Sequence, residues 1–464
     1  MKELTMCSAS LKVPAARLAD RVSGSVLMPT DPRYQDARRV HNGLIDKHPA
    51  VIVRCHDASD VQAALAFAGE HELDVGIRSG GHNVAGRAVP EGGLMVDLSA
   101  MRQIDVNPGN HTARAGAGAT WGMLNEATQA HGLAVTGGVI STTGIAGLTL
   151  GGGIGWLMAK HGLALDNLES VQIVTADGDI RMASAAEEPD LFWAVRGAGA
   201  NFGVVTSLTY RLHPVGPTIF GGLIAYPIEA AAEVLRFVRD FNGALPDELT
   251  VYVVLTHAPD GSGLPVVAVA LCHCGDLEAA ERAVQPLREL GTPIMDAAGP
   301  MPYSALNSML DASYPAGALN YWKSAFLEDL KDDAIETLVD CFARCPSVNS
   351  DILLEHVHGR ATRIDAQETA FPHRREGYNL LVMGQWMDAG LTDRCIAWTR
   401  DTYSAMQPFV RPDRYINYLD DDESEDVGAA AYGLNSPRLR ELKARYDPHN
   451  IFHLNHNIVP APRG

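Results

Sequence analysis

Val75-Gly-Ile-Arg-Ser-Gly-Gly-His-Asn-Val-Ala-Gly86 reads as a short strand running into a loop built to bind with its backbone. Leu73, Val75 and Ile77 alternate with Glu72, Asp74, Gly76 and Arg78, the period of a half-buried strand, and the pair Gly80-Gly81 ends it. With no Cβ in the way, that turn lets several N–H groups converge on one anion, while Ser79 and Asn83 add polar groups and Arg78 adds positive charge. A phosphate or pyrophosphate is the expected guest. Beside the turn, His82 offers an imidazole nitrogen as a base, a metal ligand or a covalent attachment point.

Working outward, residues 1–47 read as irregular with a short helical lead-in, and Ala50-Val-Ile-Val53 reads as a buried strand. Ser59 is placed to cap a helix whose Val61, Ala64, Leu65 and Ala68 form an apolar stripe. Strand, helix, strand and glycine turn make a βαβ unit that delivers its loop to a cofactor. Leu94–Asp97 and residues 111–118 add two more strands, and Thr120 caps a helix to Gln129 with Gly132 past its end. Gly116-x-Gly118 is followed by glycine only at 122, so the G-x-G-x-x-G spacing fails and a Rossmann domain is rejected.

Seven glycines between residues 137 and 153 predict close backbone approach, either to another chain segment or to a flat ligand. Asp177-Gly178 marks a hairpin, and Val204 to Leu212 alternates as a strand. His213-Pro-Val-Gly-Pro217 is the expected domain boundary. From Phe220 to about Arg400, alternating strands (249–256, 265–273, 352–361, 378–386) interleave with amphipathic helices (230–241, 277–290, 334–342, 392–406). This pattern predicts an antiparallel sheet with helices on one face and the other face free to roof a ligand, hence an α+β chain.

The balance of 37 basic against 56 acidic residues gives a net charge of −19, which argues against nucleic-acid and anionic-membrane partners. Residues 1–22 lack the apolar core of a signal peptide, and no ~18-residue apolar run suggests a membrane helix, so a cytoplasmic protein is expected. Seven scattered cysteines fit a reducing compartment. Cys272-His-Cys274 lies on an apolar strand and reads as core rather than metal ligand, as do Cys341 and Cys345 at helical spacing. No metal is expected.

Arg78-Ser-Gly-Gly-His82 followed by Asn83 resembles the flavin-attachment segment of the berberine bridge enzyme-like FAD-linked oxidases, within the vanillyl-alcohol oxidase superfamily, and bacterial hydroxynicotine oxidase-like members are most similar in feel. The resemblance covers nearly the whole chain. It implies a PCMH-type FAD-binding domain of two subdomains over 1–216, a substrate domain over 217–408, and a C-terminal berberine bridge-type segment over 409–464 that returns to the first domain. It implies FAD held by Arg78, Ser79, Gly80, Gly81, His82 and Asn83, with His82 bonded to the 8α-methyl carbon. Thr142, Gly144, Gly147, Gly152 and Gly153 fall in the segment that lines the flavin in the family, Val204 falls near the adenine side, and Asn455 and Asn457 fall in the C-terminal signature, where His456 stands in place of a common Gln. Bicovalent members place a second attachment Cys where this chain has Ile140, so a single covalent link is expected. Two positions before Ile140 stands Gly138, where little bulk would hinder oxygen if that position lies near the oxygen-reactive face of the flavin.

Tyr415-Ile-Asn-Tyr418 resembles the family's Tyr-x-Asn-Tyr. Tyr418 is the expected base, with Tyr415 or Asn417 able to share in tuning it; read as a strand, this segment would turn only one of the two tyrosines to substrate. Tyr378 and Trp386 are candidate substrate walls, and Asp420 to Glu423 reads as a solvated acidic loop. The implied activity is hydride transfer from an alcohol, amine, phenolic or sugar to FAD, with O2 as acceptor and H2O2 as product. Two alternatives stand beside it: a dehydrogenase using another electron acceptor, and a flavoprotein that sequesters a small molecule.

Overall fold

The computed structural model describes residues 2–422 and 427–462, with side chains from residue 11 onward except those of 427 and 429. Strands β1 (Ser25–Leu27), β2 (Val51–Arg54), β3 (Val75–Arg78) and β4 (Leu94–Asp97) form one sheet in the order β1-β2-β4-β3, with β2 and β3 parallel to β4. Helix Ala58–Glu70 joins β2 to β3 and buries Val61, Ala64, Leu65 and Ala68. Its cap is Asp57, whose carboxylate accepts from Asp60 N, rather than Ser59; the Ser59 hydroxyl instead donates to Asp57. Residues Lys2–Ala19 form a helix longer than the short lead-in expected.

Next come β5 (Ile104–Asn107), β6 (Thr112–Gly116), β7 (Leu133–Ala134), β8 (Leu168–Val174), β9 (Ile180–Ser184), β10 (Val204–Arg211) and β11 (His213–Pro214). Five of them form an antiparallel sheet in the order β5-β6-β10-β8-β9, and β7 pairs with β11. Gly178 adopts the left-handed conformation that the β8–β9 turn requires, at φ +81°. The C-terminal segment packs Leu439, Leu442, Tyr446, Phe452 and Ile458 into the same core as Val51, Leu94 and Leu208. Lys443, fully buried there, donates to Asp447 Oδ2 and to the carbonyls of Asn201 and Phe452.

The remaining strands are β12 (Thr218–Pro227), β13 (Leu249–His257), β14 (Pro265–His273), β15 (Met295–Asp296), β16 (Gly299–Pro302), β17 (Leu319–Leu327), β18 (Asp351–Val357) and β19 (Gly377–Trp386). They build an eight-stranded sheet in the order β15-β12-β14-β13-β18-β19-β17, with β16 beside β12. Its strand pairings are antiparallel throughout the described residues. Strands β12 and β17 escaped the sequence pattern; Lys323 interrupts the apolar run of β17.

One face of this sheet is covered by helices Ala231–Asn242, Leu277–Arg288, Asp332–Phe342 and Thr392–Met406. Because side chains alternate along each strand, the register fixes what the other face presents. One row across it is Leu223, Ala270, Tyr252, Glu355, Asn379 and Phe326; the next is Ala225, Ala268, Val254, Leu353, Leu381 and Ser324. A third row carries Val266, Thr256, Asp351, Met383 and Trp322. This face looks toward the glycine-rich segment through a core that includes Ile154, Trp156, Tyr252 and Tyr415.

Of the cysteines, Cys272 is buried in that core as expected, but Cys345 lies beyond the end of helix Asp332–Phe342, so Cys341 and Cys345 do not share a helical face. Among the described residues no cluster of three or more His, Cys, Asp and Glu is arranged to hold a metal, and no helix is long and apolar enough to cross a membrane. The acidic run is solvated at Asp421 and only in part elsewhere. Asp420 is buried and accepts from Trp322 N, and Asp422 accepts from Lys323, Tyr321 and Arg400. Asp420 thus caps a main-chain N–H on the free edge of β17, while Asp422 stays exposed and gathers the side chains around that edge; Glu423 lies outside the described residues.

Candidate active site

A cavity of about 720 Å³ runs from the Ser79–Asn83 loop to the helix-free face of the large sheet. Its floor is backbone. A Cβ on Gly144 would sit 2.5 Å from Gly80 N, so the two glycine-rich segments touch main chain to main chain. The segment is also held from the sheet side. Asn307 Nδ2 donates to Gly138 O at 2.6 Å, and Asp311 accepts from both Ser141 N and Ser141 Oγ.

His82 stands at the cavity wall. Its ring stacks on His41 at 4.1 Å between centroids, its Nε2 lies 3.1 Å from Thr142 Oγ1, and its Nδ1 lies 3.4 Å from Thr143 Oγ1. Burial, reinforced by the His41 ring, pushes its pKa down to about 3, so the imidazole is neutral and keeps a lone pair. Toward the same end lies Arg87, the single arginine or lysine among the described lining residues. One guanidinium nitrogen donates to Asn455 O and another approaches Asp421 at 3.4 Å, while Nε is buried without a partner. Asn455 Oδ1 and His456 Nε2, both in the lining residues, are also buried without partners.

At the sheet end, the segment expected as a strand is a 3-10 turn over Ile416–Tyr418. It separates two tyrosines whose rings meet edge to face at 4.9 Å. Tyr418 lines the cavity and its hydroxyl donates to Glu355 Oε1 at 3.1 Å. Tyr415 does not line it. Its hydroxyl accepts from Gly153 N at 2.9 Å, Ile154 N at 3.3 Å and Asn417 Nδ2 at 2.9 Å, which makes it a clamp on the glycine segment. Glu355, 1 % exposed, lies behind Tyr418, and its second oxygen accepts from Asn379 Nδ2 at 2.7 Å. Burial pushes Glu355 up to about 7 and holds the Tyr418 phenol well above its usual value.

Of the other residues singled out from sequence, Ser79, Gly80, Gly81, Asn83, Gly144, Gly147 and Asn455 line the cavity. Several do not. Arg78 is not in the lining: its guanidinium donates to Ala37 O at 2.7 Å and lies 3.9 Å from Asp97. Thr142 touches the His82 ring without reaching the lining. Gly152 and Gly153 sit behind it at positive φ, where a side chain would strike Tyr415 and Ala164. Val204 faces the core and Val205 the cavity, and Asn457 lies outside the lining that Asn455 and His456 reach. Tyr378 and Trp386 are corrected more firmly. Both occupy the strand parity opposite to Leu381 and Met383: Tyr378 is buried among the covering helices and bonded to Asn242, and Trp386 donates to Thr392.

Sequence reading missed Glu355, Asn379, Asp351, Arg87 and His41. The two acids carried a signal, since Asp351 and Glu355 fall on one strand face with only Leu353 between them; nothing local marked the others.

This arrangement has counterparts. The FAD binding domain family matches residues 49–184, and the berberine and berberine-like family matches residues 414–459. (R)-6-hydroxynicotine oxidase of Paenarthrobacter nicotinovorans is 31% identical over 95% of this chain and 97% of its own length. The chain belongs to the berberine bridge enzyme-like family of FAD-linked oxidoreductases. The crystal structure of 6-hydroxy-D-nicotine oxidase from Arthrobacter nicotinovorans superposes with a TM-score of 0.87 at 29% identity, covering 95% of this chain and 98% of that one. A xylooligosaccharide oxidase from Myceliophthora thermophila, solved with xylobiose, shares the fold at 0.84 and 23% identity over 97% of this chain and 100% of its own.

The residues fit the cofactor of a berberine bridge-like enzyme. A flat ring needs a wall without side chains, which Gly144 and Gly147 provide, and a pyrophosphate needs N–H groups and a cation, which the Gly80-Gly81 turn and the unpartnered Nε of Arg87 offer.

Proposed function

We propose that this enzyme is an oxidase whose FAD is tethered by one bond from His82 to the 8α carbon, and whose Tyr418 removes the proton of a small organic substrate. Bound in the cavity, FAD would supply the hydride acceptor and pass the electron pair to O2 to give H2O2. The observation that carries this reading is the Tyr418–Glu355 pair on the cavity wall.

A phenol is a poor base at neutral pH, and a buried one is poorer. Glu355 removes the difficulty. As the substrate's proton arrives at the Tyr418 oxygen, the phenolic proton already directed at Glu355 Oε1 moves onto the carboxylate, so no free phenolate is required. Asn379 holds the other carboxylate oxygen and keeps Oε1 aimed at Tyr418. Tyr415 and Asn417 fix the segment that carries this donor, Asn417 also donating to Leu148 O at 3.0 Å.

The neutral His82 supplies the nitrogen for a covalent link, and Ile140 offers no nucleophile for a second. Ser79 to Asn83, Gly144, Gly147, Arg87 and Asn455 are the proposed cofactor contacts, and Gly138, without a side chain on the lining, leaves room for O2. The test is acid precipitation followed by oxygen uptake. Wild-type protein should carry its yellow colour into the pellet and His82→Ala should release it to the supernatant; flavin retained in the variant's pellet removes His82 as the anchor. Substrate-dependent flavin bleaching without oxygen consumption would assign a different electron acceptor.

A further inference from the structure

The helix-free face of the large sheet is apolar along its middle row, from Ala225 through Val254 and Leu353 to Leu381. One carboxyl side chain on it is not used by the proton relay. Asp351, 5 % exposed, lines the cavity at the start of β18, on the same strand face as Glu355 and separated from it by Leu353. Four residues of strand place the two carboxyls about 13 Å apart along the backbone.

The groups around Asp351 are Tyr314, whose hydroxyl donates to Oδ2 at 3.0 Å, Thr256 and, across the sheet, Met383 and Trp322. No lysine, arginine or histidine pairs with it among the described residues. Leaving a carboxylate in an apolar wall without a cation is costly, and burial accordingly pushes it up to about 6. Trp322 stands two strands away in the same row and meets Tyr418 edge to face at 6.1 Å. Its ring adds an electron-rich surface of the kind that attracts organic cations. The two ends of the cavity differ in sign: Arg87 marks the cofactor end, and Asp351 with Asp260 marks the other.

We infer that Asp351 is a specificity-determining anchor for a cationic amine, so that the substrate is an elongated, mainly apolar molecule with an ammonium group remote from the carbon that is oxidised. This rests on the oxidase reading of the same cavity. Neutral sugars, which need hydrogen-bonding partners along their length, do not match the apolar middle row.

The test uses the flavin-loaded enzyme under anaerobic conditions with 4-(4-aminobutyl)benzyl alcohol and its neutral isostere 4-pentylbenzyl alcohol, affinities being measured by calorimetry. A charge-assisted contact predicts that the ammonium compound binds at least about tenfold more tightly. Asp351→Asn should erase that preference while leaving the affinity for 4-pentylbenzyl alcohol and the flavin content unchanged. Equal binding of the two compounds by the wild type, or no binding of either at millimolar concentration, overturns the inference without any variant. So does a preference that survives in Asp351→Asn. Failure of the oxidase reading is seen separately, as absence of bound flavin or as flavin that no substrate bleaches.

Discussion

The two walls of the cavity are made of different material. The cofactor wall is main chain: Gly80 packs on Gly144, and its shape depends on side chains being absent. The sheet wall is side chain: the register of β13, β18 and β19 decides that Tyr252, Glu355 and Asn379 stand in one row and Leu353 in the next. A backbone wall tolerates little change and binds one invariant partner, whereas a side-chain wall is rewritten by substitution at alternate strand positions. Chemistry and selectivity should therefore separate cleanly between the two.

The strongest test of that separation is at the junction. Tyr418→Phe removes the hydroxyl that passes the proton and should slow anaerobic flavin reduction by roughly 10²–10⁴-fold, the usual contribution of a general base, with flavin content unchanged. A rate within a factor of a few of wild type would move the base elsewhere. Glu355→Gln probes the same relay through pH. Because Glu355 must be ionised to receive the proton and burial raises it to about 7, kcat/KM should fall as pH drops below that value in the wild type. The variant should be slow and flat over the same range; a limb that persists in it belongs to another group.

On the backbone wall the expected effect is on integrity rather than rate. Gly144→Ala places a methyl group 2.5 Å from Gly80 N and 2.7 Å from Gly80 Cα, main-chain atoms that cannot turn aside as a side chain would. Overpacking of this kind costs about 1–3 kcal/mol, read as a lower Tm and incomplete flavin loading. A normal Tm with full loading would show that the two loops can part without consequence.

How legible each wall was in the sequence follows from the same difference. Gly80-Gly81 and the run from Gly137 announce a backbone surface, because so many glycines cost conformational entropy that only close main-chain approach or unusual dihedrals repay. The loop carrying His82 could therefore be found without a structure. Even there, glycine did not say which residues face inward: Gly152 and Gly153 serve contacts with Tyr415 and Ala164 behind the wall. The antiparallel sheet and its covering helices were read correctly as a class, because amphipathic helices such as Ala231–Asn242 carry their own period. Strand parity was not readable. All of Gly377–Trp386 is buried, since one face meets helices and the other meets the cavity, so alternation gave no clue and the large aromatics Tyr378 and Trp386 pointed to the wrong side. The slip from Val204 to Val205 is of the same kind, beside a register shift between Val205 and Ser207 that local sequence does not encode.

Tyr378 gives the smallest expected effect and the cleanest check on parity. Its hydroxyl is buried against the covering helices, 3.3 Å from Asn242 Nδ2, so Tyr378→Phe removes one hydrogen bond from the core. The loss should cost about 0.5–1.5 kcal/mol, visible as a modest fall in Tm. Since Leu381 and Met383, not Tyr378, look into the cavity, kcat/KM should stay at the wild-type value. Met383→Leu, a volume-conserving change at the opposite parity on the same strand, should do the reverse, changing substrate preference with little change in Tm. If Tyr378→Phe altered selectivity instead, the faces of β19 would have to be exchanged, and with them the rows that bring Glu355 beside Tyr418 and Asp351 to the far end of the cavity.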